Sequence, residues 1–146
     1  MGTNLLRLAP DNWDLMRAHI LACLPEEACG LLGGHGGRIR MVLPVLNALR
    51  SSARFRMDPE GQLAAMGRIE EEGEEIIGIY HSHPDGPPHP SGTDLLEAAY
   101  PEAAQLIWFP SPSGWQCRAF RHTETGFIAM AIEQRPDEPS RGQGGS

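Results

Sequence analysis

Glu75-Ile76-Ile77-Gly78-Ile79-Tyr80-His81-Ser82-His83-Pro84, continued by Asp85-Gly86-Pro87-Pro88-His89-Pro90-Ser91-Gly92-Thr93-Asp94, is the stretch on which the reading of this chain turns. The residues ahead of His81 form a short apolar run with β-branched members, which predicts a strand with both histidines at or just past its end. Side chains i and i+2 of a strand share a face, so His81 and His83 can converge on one ion while Ser82 points away. A third ligand must approach from another direction, and the Gly/Pro-rich turn from Asp85 to Pro90 can return Asp94 to that point. Two neutral imidazoles, one carboxylate and an open fourth position describe a catalytic rather than a structural zinc site. The expectation is one Zn2+ per chain, held by His81, His83 and Asp94, with hydrolytic chemistry.

Each of these residues also has a plainer reading. A His-x-His pair alone is more often a surface or turn feature than a ligand pair. Ser91-x-x-Asp94 ahead of Leu95-Leu96 is equally a capping box at a helix start. The acid placed after two histidines and a turn tips the balance toward the metal, and Ser91 can serve both as cap and toward a substrate. His89 lies inside the proline-rich turn and is read as solvent- or substrate-facing. His19, His35 and His122 have no partner pattern and are read as structural or surface residues. Cys29 is expected to be a small buried residue on the strand after the first helix.

The pattern His-x-His-Pro, five residues, Pro-Ser-x-x-Asp resembles the JAMM (MPN-domain) zinc metalloproteases, and every position of that signature is filled here. The family also has an upstream glutamate in a Pro-x-Glu-x-x-Gly context, which Pro25-Glu26-Glu27-Ala28-Cys29-Gly30 supplies. The spacing selects Glu27, although Glu26 satisfies a looser reading. The resemblance runs over roughly residues 10 to 133, and two motifs in the expected order make it specific. It implies that zinc activates water, that Glu27 takes the water's proton and passes it to the leaving amine, and that Ser91 hydrogen-bonds the oxyanion. It also implies the compact prokaryotic type, an isopeptidase or deconjugating enzyme acting after the C-terminal Gly-Gly of a ubiquitin-like or sulfur-carrier protein. An extended tail pairing with a strand edge beside the Asp85 to Pro90 turn fits that substrate. The alternative from another class is a noncatalytic MPN-type scaffold, against which a complete ligand set argues.

Composition narrows the remaining choices. A chain of 146 residues, 40% hydrophobic, can bury one adequate core. A net charge of −7 disfavours nucleic-acid binding, which needs a basic face. All 12 basic residues are arginine, so a lysine Schiff base and a Gly-x-x-x-x-Gly-Lys phosphate loop are both excluded. Three cysteines without framework spacing, and no charged-then-apolar leader, point to the reducing cytoplasm. No apolar run approaches a membrane span.

Along the chain, Asp11 reads as the N-cap of an amphipathic helix through about Leu24, with Trp13, Met16, Ile20 and Leu24 near one face and Pro25 closing it. Strands over Cys29 to Gly33 and Arg38 to Leu46 flank Gly34-His35-Gly36-Gly37 as a hairpin. Asp58-Pro59-Glu60 opens a second helix through about Glu72, with Leu63, Met66 and Ile69 or their neighbours inward. After the histidine strand come a short helix from Ser91 to Ala99 and strands over Ala104 to Phe109, Trp115 to Arg121 and Phe127 to Glu133. The expected fold is an α/β single-domain sandwich of helices around a curved, mostly antiparallel β-sheet, over residues 1–134. Residues 135–146, rich in Pro, Gly and polar residues without periodicity, are expected to be a disordered tail.

Overall fold

The computed structural model describes residues 4–85 and 100–136. In chain order the elements are β1 (Leu5–Leu8), α1 (Pro10–Cys23), β2 (Cys29–His35), β3 (Arg38–Val45), α2 (Pro59–Glu71), β4 (Glu75–Ser82), β5 (Ala104–Ser111), β6 (Gly114–Thr123) and β7 (Gly126–Gln134). The helix expected over Ser91 to Ala99, and residues 137–146 of the expected tail, lie outside the described residues. Arg135 still belongs to the ordered frame, because its N–H donates to the Leu8 carbonyl at 2.8 Å.

The hairpin turn is tighter than its four-residue reading. His35 pairs with Arg38, so only Gly36 and Gly37 turn, both at positive φ, as a two-residue hairpin loop requires. Both helix readings survive with one shift. Pro10 takes the first helical position of α1 behind Ala9, which moves Asp11 from the cap into the first turn. There proline has no N–H to leave unpaired, and a carboxylate complements the positive end of the helix. In α2 the Asp58 side chain does accept the Gly61 N–H, at 2.8 Å.

The expected sandwich around a curved sheet is corrected in one respect. The strands close into a barrel in the order β1-β3-β2-β4-β5-β6-β7. β1, a strand absent from the sequence reading, pairs parallel with β7 along its whole length and with β3 through Arg7 and Leu8. Its alternation is the physical reason: Leu6 and Leu8 are buried while Leu5 and Arg7 are half-exposed, so a short segment covers both open edges of the sheet. The sheet is mixed but mostly antiparallel as expected: β2 pairs antiparallel with β3 and β4, and β6 with β5 and β7, while β4 and β5 run parallel. β4 itself is flanked by β2 and β5 and offers no free edge.

Helices cover both faces of the sheet. On one face Met16 and Ile20 of α1 join Leu6, Leu32, Tyr80 and Trp108 in the larger apolar cluster. On the other, Ala65 and Ile69 of α2 pack with Cys29, Leu31, Val45 and Ile79. β2 therefore runs between two cores, which explains its continuous buried stretch from Cys29 to Gly34. The inward residues differ from expectation at the helix margins, where Leu24 and Leu63 are exposed.

Candidate metal centre

β4 alternates between these two cores. Tyr80 and Ser82 point to the α1 side, while Ile79 and His81 point to the α2 side. The strand pattern carries one residue past its end, since the His83 N–H donates to the Trp108 carbonyl at 2.7 Å. His81 and His83 consequently share a face, with ring centroids 4.8 Å apart, and each is 7% exposed. Ser82 turns away, as expected from the sequence. Its buried Oγ accepts the Ala28 N–H at 2.8 Å and its own N–H donates to the Ala28 carbonyl at 3.0 Å.

This pair of bonds brings in the upstream glutamate. Ala28 is clamped to Ser82, so Glu27, one residue earlier, is delivered beside the histidines; its Oε1 lies 3.8 Å from His81 Nδ1. Glu27 is 3% exposed. Glu26 goes the other way, toward Arg50 at 4.0 Å on the surface. Among the described residues, Glu27, His81 and His83 form a group whose potential ligand atoms all lie within 4.8 Å of one another. Asp94, Ser91 and His89 fall outside the described residues.

The donor set fits a transition metal. Two imidazoles and a carboxylate suit zinc, whose nitrogen ligands stand at about 2.0–2.1 Å from the ion. Three buried polar side chains converging on one point are costly unless they are paired or share a cation. One ring face of His81 is closed by Phe55, stacked at 4.6 Å between centroids.

Neither Phe55 nor Asn47 behind it is singled out by the sequence. Both sit in the segment between β3 and α2, which has no periodicity, and the Asn47 to Met57 bridge is an isolated pairing no pattern announces. The plainer readings of the other histidines stand. His19 Nδ1 lies 2.7 Å from the Tyr80 hydroxyl. Burial lowers the pKa of His19 and pushes that of Tyr80 well up, so the two groups meet as neutral imidazole and neutral phenol. His35 meets Glu74 at 2.6 Å on the surface and His122 packs against Phe127. Cys29 is fully buried. A groove of about 470 Å³ over β6 and β7, lined by Trp13, Cys117, Phe120 and Met130 among others, contains none of the three candidate ligands.

Comparison with known proteins gives concordant results. Residues 10–125 match the family described as prokaryotic homologs of the JAB domain. The desampylase of Haloferax volcanii is 34% identical over 144 residues, covering 91% of this chain and 100% of that protein. The desampylase of Pyrococcus furiosus is 46% identical over 69 residues, a match spanning 47% of this chain and 49% of that relative. The CysO-cysteine peptidase of Mycobacterium tuberculosis is 34% identical over 120 residues, 80% of this chain and 82% of that one. In structure, protein DSY2949 of Desulfitobacterium hafniense superposes with a TM-score of 0.78 at 33% identity, over 90% of this chain and 94% of that chain.

Proposed function

The chain belongs to the family of prokaryotic JAB-domain homologs, and from that premise we propose that it is a zinc-dependent metallopeptidase of the deconjugating, isopeptidase kind. It hydrolyses the bond after the C-terminal Gly-Gly of a ubiquitin-like or sulfur-carrier protein. The observation that carries this reading is the buried convergence of Glu27, His81 and His83 within 4.8 Å. The names of the relatives, desampylase and CysO-cysteine peptidase, supply the reaction class.

His81, His83 and Asp94 would hold the ion, and zinc bound there would supply Lewis acidity toward a carbonyl and toward water. Glu27 is the proton carrier: its carboxylate takes a proton from the attacking water and delivers it to the departing amine, so one peptide or isopeptide bond becomes a carboxylate and an ammonium group. Ser91 donates a hydrogen bond to the oxyanion as charge develops. No acyl-enzyme is needed. Burial of the three residues, with Phe55 stacked on His81, keeps bulk water from competing for the same hydrogen bonds.

The Gly-Gly preference has a steric reason. A backbone lying close over a recessed ion leaves no room for side chains ahead of the cut. The three free cysteines fit a reducing cytoplasmic setting. Zinc-loaded protein incubated with conjugates of ubiquitin-like carriers should release the carrier with a free Gly-Gly end, read by mass spectrometry. Conjugates whose final glycine is valine or leucine should be cut far more slowly. Equal cleavage of all three would end the steric argument. No cleavage of any carrier conjugate would put the noncatalytic scaffold in first place.

A further inference from the structure

Asn47, in the segment between β3 and α2, is a buried polar residue, only 5% exposed. Its amide is nonetheless saturated. Nδ2 donates to the Glu27 carbonyl and to the Arg54 carbonyl, each at 3.1 Å, while Oδ1 accepts the N–H groups of Leu49 and Arg56, each at 3.1 Å. Two carbonyls on one side and two N–H groups on the other leave only one orientation of the amide. The four bonds tie together two things the sheet does not hold. Glu27 precedes the first residue of β2, and Phe55 lies between β3 and α2. The same segment grips Glu27 a second time, because the Glu27 N–H donates to the Ser51 carbonyl at 2.7 Å.

We propose that Asn47 is a positioning residue of the proposed reaction, holding the Glu27 backbone and the Phe55 ring in register over His81 and His83; this rests on the metallopeptidase reading above. A proton carrier works only within hydrogen-bond reach of its target, and misplacement by about 1 Å can cost a factor of about 10². Asn47 acts through Glu27 and through the ring covering His81, not on the substrate.

The test is a double-mutant cycle with a second readout that needs no turnover. In the zinc-loaded enzyme, Asn47→Ala should lower kcat for a carrier conjugate by roughly 10–10², with KM within about twofold. In a Glu27→Gln background it should lower kcat little further, because the group it positions no longer works. In metal-free protein, the His81 ring-proton resonances, displaced by the stacked Phe55 ring, should move toward open-ring values in Asn47→Ala and stay in place in a Leu63→Ala control. Asn47→Asp, which keeps both acceptor bonds and loses both donor bonds, should follow Asn47→Ala in each readout and substitutes for it if the alanine variant does not fold. Unmoved His81 resonances, or kcat losses that multiply in the double variant, overturn the proposal. If the parent enzyme cleaves no conjugate, the metallopeptidase reading falls, and the resonances alone decide whether Asn47 holds the ring.

Discussion

Two adjacent glutamates face opposite surroundings. Glu27 is buried beside His81, whereas Glu26 faces Arg50 on the surface. Glu27→Gln removes a proton acceptor while leaving the side chain's size, and Asp94 is the expected third ligand. The variant should therefore retain zinc and lose about 10²–10⁴ in turnover. Glu26→Gln should change turnover little, since an exposed pair at 4.0 Å contributes little to stability. Steady-state kinetics beside metal analysis decides the matter, and the opposite ranking would reassign the proton carrier. At this scale the sequence was explicit about His81 and His83 because strand periodicity alone puts them on one face. The motif spacing selected Glu27 over Glu26, but the opposite directions of the two side chains rest on the loop bonds to Ser51 and Asn47, which no local pattern shows.

Strands β2 and β4 meet where a side chain has been given up. Gly30 faces Tyr80 across the ladder, and a Cβ at Gly30 would fall on the Tyr80 ring well inside contact distance. The ring has no flexible end to retreat. Gly30→Ala should therefore destabilise the fold by about 1–3 kcal/mol, and by shifting Tyr80 it should disturb His81 next to it and weaken metal retention. Gly67 is the opposite case, an interior residue of α2 where a Cβ meets nothing within 4 Å. Gly67→Ala should stabilise by about 0.5–1 kcal/mol. Urea midpoints of the two variants check both signs. The glycine of the Pro-x-Glu-x-x-Gly motif was visible in sequence, but its reason, room for an aromatic ring from another strand, was not. β1 escaped for a different cause. Four residues with two inward leucines carry too little period to stand out, and the strand exists because β3 and β7 leave edges for it to cover.

For the molecule as a whole, the metal and the fold should be separable. Apolar clusters on both faces of the sheet include neither His81 nor His83. Chelation should leave the far-ultraviolet circular dichroism intact and lower the thermal midpoint only by the loss of ligand binding. Elemental analysis after reconstitution should find one zinc per chain, and none in His81→Ala or Asp94→Ala. Two zinc ions per chain, or collapse of the fold on chelation, would contradict a single site on a self-supporting scaffold.

What the sequence determined by itself is what depends on neighbours along the chain. That includes the shared face of His81 and His83, the Asp58 cap of α2, the existence of the β2–β3 hairpin, the burial of Cys29 and the assignment of most strands. Period and local hydrogen bonding act over a few residues, so they can be read there. Tertiary structure alone decided the closure of the barrel by β1, the burial of Glu27 beside His81, the Phe55 cover on His81 and the Asn47 clamp behind them. Each of these joins residues distant in sequence. Glu27 and His81 meet because Ala28 bonds Ser82 across two strands, and a contact of that kind is specified by packing and pairing of the whole sheet rather than by any local pattern.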